Sequence, residues 1–242
     1  MLGLIGIFAV ARLAFSLQPV AAGNSGRAAS LVREYLDAFI VAGLVALFLI
    51  TFVVRTFYIP TGSMIPTLQA RDVLLVNEFA YRFGAPHRGD IVVFRPPIES
   101  TENFIKRVIA VPGDTLRIYG GKVYVNGKAL DEPYIAQAPQ YNLAVKDYDV
   151  YVDTGDGYEP LSRTSANIPP RSKWQAPDRI PEGFYFVMGD NRNDSDDSHI
   201  WGFAQLHGRF AGGPLARTAT TAQFTGRAFL LLWPFNRLRI FD

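Results

Sequence analysis

A serine and a lysine lie in two short motifs of this chain and together could cleave an amide bond. Ser63 lies in the run Ile59-Pro-Thr-Gly-Ser-Met-Ile-Pro-Thr-Leu68. Pro60 fixes one backbone angle, and Gly62 allows conformations that residues with a Cβ avoid, so the segment can hold a hydroxyl and neighbouring amides in a fixed arrangement. Acyl transfer needs such an arrangement, although Gly, Ser and Pro are also the ordinary residues of a structural turn. A base for the serine is therefore required before the chemistry can be assigned.

Lys106, in Phe104-Ile-Lys-Arg-Val-Ile109, is the candidate for that base. In a strand with alternating faces, an inward Lys106 leaves Arg107 on the opposite face. Removal of a lysine from water favours its neutral form, which lowers its pKa and supplies a free amine near neutral pH. The strand pattern alone also allows a solvent-facing Lys106. Histidine is the more common base for a serine nucleophile, but none of His87, His199 and His207 has a setting that indicates this role.

An acidic and polar run from Met188 to Gly202 is the third chemical feature. Its Asp and Asn residues suggest a calcium loop, but the twelfth position counted from Asp190 is Trp201 instead of the glutamate of an EF-hand. We predict neither a metal nor a cofactor. The loop could instead supply a hydroxyl that orients the lysine amine, with carboxylates that fix the shape of the loop.

An apolar segment before these motifs predicts a membrane anchor. Between Leu36 and Val54 the only charged residue is Asp37. Residues 36–56 are therefore predicted as a transmembrane anchor, and the alternative of a buried core helix is disfavoured by the lack of a polar face. Residues 1–22 are apolar but contain Arg12, which predicts either a first membrane span or an interfacial helix. Residues 23–35 are predicted as a short linker.

Residues 57–242 change to short β-type runs between turn residues, which predicts a mostly β catalytic domain of antiparallel sheets. Gly120-Gly121 and Asn126-Gly127 predict tight turns. An insertion is predicted at about 134–181, and a surface loop at 211–225, because turn residues are frequent there. The pattern leaves a sandwich and a barrel open. The predicted strands are Val73–Val76, Asp90–Phe94, Phe104–Val111, Thr115–Ile118, Lys122–Val125, Phe184–Met188 and Gly226–Trp233.

Charge and cysteine content exclude several function classes. The formal net charge is +2 and the basic residues are scattered, which gives no reason to expect a nucleic-acid partner. The absence of cysteine excludes disulfides, thiolate metal sites and cysteine nucleophiles.

Taken in order, these segments resemble the bacterial type I signal peptidases, also called leader peptidases, which are membrane-anchored endopeptidases with a Ser/Lys dyad. Four separated motifs carry the resemblance behind the predicted anchor. They are Ser63-Met-Ile-Pro-Thr-Leu68, Gly89-Asp-Ile-Val-Val-Phe94, Ile105-Lys-Arg-Val-Ile-Ala-Val-Pro-Gly-Asp114 and Gly189-Asp-Asn-Arg-Asn-Asp-Ser-Asp-Asp-Ser198.

The resemblance implies a role for several residues. Ser63 would attack the scissile carbonyl and Lys106 would be the general base. The backbone N–H of Ser63 and the hydroxyl of Thr61 would hold the oxyanion, and Ser195 would hydrogen-bond the lysine amine.

The same resemblance implies structural support from Arg107, Asp190 and Asp197, with Arg107 paired to Asp190. Two positions depart from the family pattern: His199 stands where arginine is common, and Ala110 where glycine is usual. The first departure puts the pairing of Asp197 in doubt.

The resemblance also implies a substrate pocket beside the serine. Family substrates carry small residues at the first and third positions before the cut, and the predicted walls are Ile59, Met64, Val92 and Ile105. A set of aromatic residues near the site could be exposed and seat the domain in the lipid interface, or could belong to the core. These aromatic residues are Phe57, Tyr58, Trp201 and Phe203.

The function implied by the resemblance is cleavage of N-terminal signal peptides from exported preproteins by a Ser/Lys acyl-enzyme mechanism. The predicted partners are preproteins and membrane lipid, with functional proximity to the secretion translocon. The predicted location is the cytoplasmic (inner) membrane, with the catalytic domain on the extracytoplasmic side.

Two other functions stay open, an organellar or conjugative-transfer processing peptidase and a membrane-tethered β-domain that binds peptides without cleaving them. The self-cleaving SOS-type repressors also pair a Gly-Ser-Met turn with a lysine, but the predicted anchor disfavours them.

Overall fold

The chain divides between Arg55 and Thr56 into two compact units. A computed structural model describes residues 24–52, 54–96, 102–161, 178–205 and 223–241. In the first unit these residues form helix α1 (Asn24–Phe52). Many of the large apolar side chains on α1 are exposed, among them Leu31, Phe39, Val41, Leu44, Val45 and Phe48.

Helix α1 differs from the prediction at both of its ends. Residues 24–35, predicted as a linker, are helical, because half of them are the strong helix formers Ala, Leu, Arg and Glu and the segment continues directly into the apolar helix. The helix ends at Phe52 and strand β1 begins at Val54, inside the predicted anchor 36–56. Among the residues that the structure describes, no helix combines the length and apolar character of a membrane span. The predicted segment 1–22 lies outside the described residues.

The second unit is built mainly from short strands. Its helical elements are α2 (Ala80–Phe83), α3 (Ser198–Trp201) and a 3-10 turn (Phe235–Arg237). The strands are β1 (Val54–Tyr58), β2 (Val73–Asn77), β3 (Ile91–Arg95), β4 (Phe104–Ala110), β5 (Leu116–Tyr119), β6 (Lys122–Val125), β7 (Lys128–Ala129), β8 (Leu143–Lys146), β9 (Asp149–Asp153), β10 (Tyr158–Pro160), β11 (Phe184–Met188), β12 (Ala204–Gln205), β13 (Gln223–Trp233) and β14 (Arg239–Ile240). The mostly β prediction is confirmed, and each predicted strand is present with bounds that agree within a few residues.

The strands form two sheets. The larger sheet has eight strands in the order β1-β2-β13-β3-β4-β11-β12, with β14 beside β13, and the smaller has six in the order β10-β9-β8-β5-β6-β7. Strands β3, β4 and β11 are antiparallel neighbours, with Val92 opposite Lys106 and Met188 opposite Arg107. This register brings the lysine motif beside the start of the acidic loop.

The smaller sheet contains the predicted tight turns and part of the predicted insertion. Gly120 and Gly121 have φ of 58° and 75°, and Asn126 and Gly127 have φ of 52° and 75°, as two-residue hairpin loops with positive φ require. Within 134–181, strands β8, β9 and β10 continue this sheet outward from β5. The sequence pattern did not predict these strands, because each has only three to five residues and turn residues are frequent around them. Residues 162–177 lie outside the described ranges.

The predicted loop 211–225 also changes at its end. Strand β13 begins at Gln223, where it pairs with Arg95 of β3, so residues 223–225 belong to the sheet. The pairing with β3 determines where β13 begins, and the residues around Gln223 do not indicate this start. The rest of the predicted loop, residues 211–222, lies outside the described residues.

The core lies on both faces of the central strands. Val92 and Phe94 of β3 pack into one cluster, whereas Ile91 and Val93 pack into another cluster on the opposite face. A third cluster joins β4 and β11 to the smaller sheet through residues such as Phe186.

Two of the aromatic residues considered for a lipid interface belong to this core. Trp201 and Phe203 are buried because they pack inside it. Phe57 is partly buried against a core cluster, and Tyr58 is exposed.

Candidate active site

The serine motif forms a turn segment between β1 and β2 whose apolar residues anchor it to the core. Ile59 and Met64 are 3% and 1% exposed and pack with strands β2 and β3. The backbone closes on itself, since Ile59 N–H donates to the Asp72 carbonyl and Arg71 N–H donates to the Ile59 carbonyl. Ser63 therefore lies between two buried residues of a segment that is closed by backbone hydrogen bonds.

Lys106 projects from β4 toward this serine. Its side chain is 3% exposed, and its Nζ lies 2.8 Å from the Ser63 Oγ in a hydrogen bond. Burial lowers the pKa of the Lys106 amine from its ordinary value, although the negative charges of Asp197, Asp196 and Asp190 oppose this shift. The structure thus brings together the two residues that the sequence predicted as a dyad, in surroundings that favour the neutral amine.

The loop after β11 fixes the serine by its backbone. Asn191 N–H donates to the Ser63 carbonyl at 3.0 Å, and the Asn191 side chain donates to the Gly62 carbonyl at 3.2 Å. Two consecutive carbonyls of the nucleophile segment are therefore held by one residue. This role of Asn191 could not be predicted, because nothing in the sequence between Asp190 and Arg192 indicates a contact with a segment more than 100 residues away.

At Gly189 the backbone of the acidic loop lies close to the serine segment. A Cβ at this position would collide with the Ser63 carbonyl oxygen on one side and the Ser195 hydroxyl on the other. The Gly189 N–H donates to Asp197 at 2.8 Å. The glycine is required here for close approach, because any side chain would push the two serines apart.

Ser195 does not make the predicted hydrogen bond to Lys106. Its side chain is 8% exposed and lines the same pocket as Lys106, but its hydroxyl has no hydrogen-bond partner in the described part of the chain. The Lys106 amine is instead bonded to Ser63. Ser195 therefore lies in the same pocket as the dyad, without the predicted contact to the lysine amine in this structure.

Arg107 and Asp190 form the predicted ion pair. The guanidinium donates to both carboxylate oxygens, at 2.9 and 2.7 Å, and Asp190 is fully buried. Arg107 also donates to the Gly89 carbonyl and lies over the Tyr134 ring at 4.0 Å. A bidentate pair is geometrically specific, so it fixes the start of the acidic loop relative to β4.

Asp197 pairs with His199, the residue that replaces the arginine of the family pattern. The Asp197 carboxylate lies 2.7 Å from the His199 Nδ1 and also accepts from the backbone N–H of His199 and of Gly189. The imidazole stacks on Tyr141 with ring centroids 4.3 Å apart. Asp197 thus organises the loop through the N–H groups on either side of it.

A buried ion pair between Arg192 and Glu132 was missed by the sequence analysis. Arg192 is fully buried, and it donates two hydrogen bonds to Glu132, one of them at 3.0 Å, and a third to the Gly189 carbonyl. Glu132 lies between β7 and β8, so the pair ties the acidic loop to the smaller sheet. No local pattern could identify this partner, which lies 60 positions away in the chain.

A pocket of about 270 Å³ opens at Ser63 and Lys106. Ile59, Met64 and Ile105 line it as predicted, together with Thr61, whose Oγ1 lies 3.4 Å from the Ser63 Oγ. Val92 does not line the pocket. Its side chain is completely buried among the core residues around Phe94, because that face of β3 is covered by packing.

Removal of Glu132 should strongly destabilise the protein. Glu132→Ala leaves the guanidinium of Arg192 buried without its carboxylate, and breaking a buried pair in this way costs about 3–5 kcal/mol. Urea unfolding followed by circular dichroism should show this loss, whereas Asp131→Ala, at an exposed neighbouring acid, should change stability by less than about 0.5 kcal/mol. The double variant Glu132→Leu/Arg192→Met should recover most of the stability, and equal effects of Glu132→Ala and Asp131→Ala would contradict the role of the pair.

Replacement of Lys106 should stabilise the fold in a pH-dependent way. Because burial lowers the folded-state pKa of Lys106, the unfolded chain binds more protons between that pKa and the ordinary value, and wild-type stability rises with pH there. Lys106→Met removes the cost of burying a charged amine. Its free energy of unfolding should therefore exceed that of the wild type most at low pH, by about 1.4 kcal/mol for each pH unit that separates the folded-state and unfolded-state pKa of Lys106. Urea unfolding from pH 6 to 10 measures the difference. Lys128→Met, at an exposed lysine, should give a constant offset, and parallel profiles for Lys106→Met and wild type would refute the prediction.

Comparison with known proteins places this site in a family. The sequence matches the family model described as signal peptidase, peptidase S26, over residues 32–212. A probable signal peptidase I-1 of Synechocystis sp. is 37% identical over 206 residues, which cover 80% of this chain and 89% of that protein. A signal peptidase I of Leptolyngbya laminosa is 33% identical over 224 residues, which cover 90% of this chain and 87% of that protein. A crystal structure of a signal peptidase I from Enterococcus faecalis V583 aligns with a TM-score of 0.34 and 27% identity, covering 57% of this chain and 96% of that chain. The extent of the family match and the identity to these relatives together show that the chain belongs to the signal peptidase family, peptidase S26.

Proposed function

We propose that this enzyme is a serine endopeptidase that removes N-terminal signal peptides from preproteins, with Ser63 as nucleophile and Lys106 as general base. The observation that carries the proposal is the 2.8 Å contact between Lys106 Nζ and Ser63 Oγ inside a buried site. The relatives in Synechocystis and Leptolyngbya are named signal peptidase I, which supports the choice of substrate.

The reaction follows from the two side chains. Neutral Lys106 accepts the Oγ proton as Ser63 attacks the scissile carbonyl carbon. The C–N bond then breaks, the new amino terminus of the mature protein leaves with that proton, and the signal peptide remains as an ester on Ser63. The same amine deprotonates a water molecule, which hydrolyses the ester and restores the hydroxyl.

The developing oxyanion would be stabilised by the Ser63 backbone N–H and the Thr61 hydroxyl. Thr61 Oγ1 lies 3.4 Å from Ser63 Oγ at the mouth of the pocket, which supports this assignment. Ser195 would orient the Lys106 amine. Its hydroxyl has unused hydrogen-bonding capacity and lines the same pocket, so a small movement of the amine would allow the bond.

The substrate would lie as an extended peptide along the pocket, with small side chains against Ile59, Met64 and Ile105. The helical part of the predicted anchor, residues 36–52, would hold the enzyme in the cytoplasmic membrane. The exposed apolar side chains along α1 support this anchor, because lipid would cover them. The catalytic unit would then act on the extracytoplasmic side, close to the translocon that delivers preproteins.

Cleavage of a preprotein tests the dyad directly. Detergent-solubilised full-length enzyme should convert a preprotein to its mature form, and Ser63→Ala and Lys106→Ala should each reduce the rate by at least about 10³-fold, since the nucleophile and its base act as a unit. Gel analysis with sequencing of the new amino terminus provides the measurement. Cleavage that survives both substitutions would refute the dyad, and binding without cleavage by the wild type would favour a peptide-binding domain.

Thr61 can be tested by a matched pair of substitutions. Thr61→Val keeps the shape and removes the hydroxyl, so kcat should fall by about 10²- to 10³-fold with little change in KM, as for loss of one oxyanion donor. Thr61→Ser keeps the hydroxyl and should remain within a few-fold of the wild type. If the valine variant turns over as fast as the serine variant, Thr61 does not stabilise the oxyanion.

A further inference from the structure

The ionisable side chains that line the described pocket have an uneven charge. Three are carboxylates, Glu102, Asp194 and Asp196, and Lys106 is the only cationic group among them. Asp194 and Asp196 flank Ser195 on the acidic loop, and Glu102 lies in the segment that leads into β4. All three carboxylates belong to exposed residues at the mouth, whereas Lys106 is buried.

The proposed reaction makes this imbalance larger. Lys106 must be neutral to accept the serine proton, and burial favours that form. In the reactive state the described pocket lining therefore holds three carboxylates and no cation. A basic substrate side chain at the mouth therefore meets the carboxylates of Asp194 and Asp196 and no competing cation from the described lining.

A second observation points to a ligand at the same place. Ser195, between the two aspartates, is 8% exposed and its hydroxyl has no partner in the described residues, although it lines the pocket. A hydroxyl carries one donor and two acceptor positions. Its oxygen can accept an N–H of the Lys106 amine, which leaves the amine lone pair for the Ser63 proton, and can still accept a second hydrogen bond from a substrate donor.

The arrangement suits an organic cation better than a metal ion. Within the described residues, no group of three or more His, Cys, Asp or Glu side chains is arranged to hold a metal. Separate carboxylates around a groove can instead meet the extended, flexible side chain of a lysine or arginine.

We propose that Asp194 and Asp196 are specificity-determining residues that favour substrates with a Lys or Arg within a few residues of the scissile bond. This inference rests on the proposed function, because it concerns the substrates of the same site. The pockets for the small residues are lined by apolar side chains, so the basic residue lies at another position that faces the mouth. Exposed ion pairs are individually weak, so the two aspartates together should give about a 3- to 10-fold preference for a basic over a neutral residue.

Matched peptides can measure this preference. Internally quenched peptides with one cleavage site would carry Lys, Gln or Glu in turn at each position near the cut, except the two that require small residues. The quantity compared is the ratio of kcat/KM for the Lys peptide to that for the Gln peptide, with full-length wild type and Asp194→Asn/Asp196→Asn. The charge of Asp196 also raises the pKa of Lys106, but such an effect on the base scales both peptides equally and cancels in the ratio at one pH.

The matched control is Asp156→Asn/Glu159→Gln, which removes two exposed carboxylates around the start of β10, outside the pocket lining. We expect the wild type and this control to prefer Lys over Gln by about 3- to 10-fold at one or more positions, with the preference weaker at high salt. The pocket variant should bring the ratio close to one.

The outcomes separate this inference from the proposed function. If no peptide is cleaved by the wild type, the proposed function fails. If the peptides are cleaved but Lys and Gln are equivalent at every position, or if the pocket variant keeps the wild-type ratio, the charge selection is wrong. Turnover of the Gln peptide by the pocket variant shows that it has folded.

Discussion

The contact between Lys106 and Ser63 depends on an amine that is buried without an opposite charge. Within the described ranges Lys106 forms no ion pair, although the acidic loop nearby contains several carboxylates. Asp190 is bound by Arg107 and Asp197 by His199, so these two buried carboxylates of the acidic loop have partners other than Lys106. The fold thus places these two carboxylates near Lys106 without a direct ion pair between either of them and the amine.

The position of the serine depends on contacts to its backbone carbonyls as well as on its buried neighbours. The backbone N–H of Asn191 donates to the Ser63 carbonyl, and its side-chain amide donates to the Gly62 carbonyl. The absence of a side chain at Gly189 allows the two segments to approach this closely. A nucleophile held in this way is fixed in relation to β11, from which the acidic loop begins. Because β11 is paired with β4, the serine and the lysine share one rigid reference.

The sequence predicted which motif residues meet at the site better than it predicted their supporting contacts. Ser63, Lys106 and the Arg107–Asp190 pair could be found because their motifs are local and their order matches a known family. Strands with clear alternation were also predictable, whereas β8 to β10 were hidden by turn residues around short runs. Glu132 and Arg192 meet only after the smaller sheet has formed, and the burial of Val92 depends on which face of β3 is covered. Such facts are properties of tertiary packing, and no window of sequence contains them.

The order of strands in the larger sheet has a consequence for how this fold can change during evolution. Strands β4 and β11 are direct neighbours, yet the whole smaller sheet is inserted in the chain between them. The inserted segment can therefore gain or lose residues at its outer edge, near β10, while both ends remain fixed by the pairing of β4 with β11. The Glu132 carboxylate limits this freedom, since it must reach back to Arg192 from the inserted sheet. Variation in length among descendants of this chain should accordingly accumulate after β9, and the stretch that carries Glu132 should keep its length.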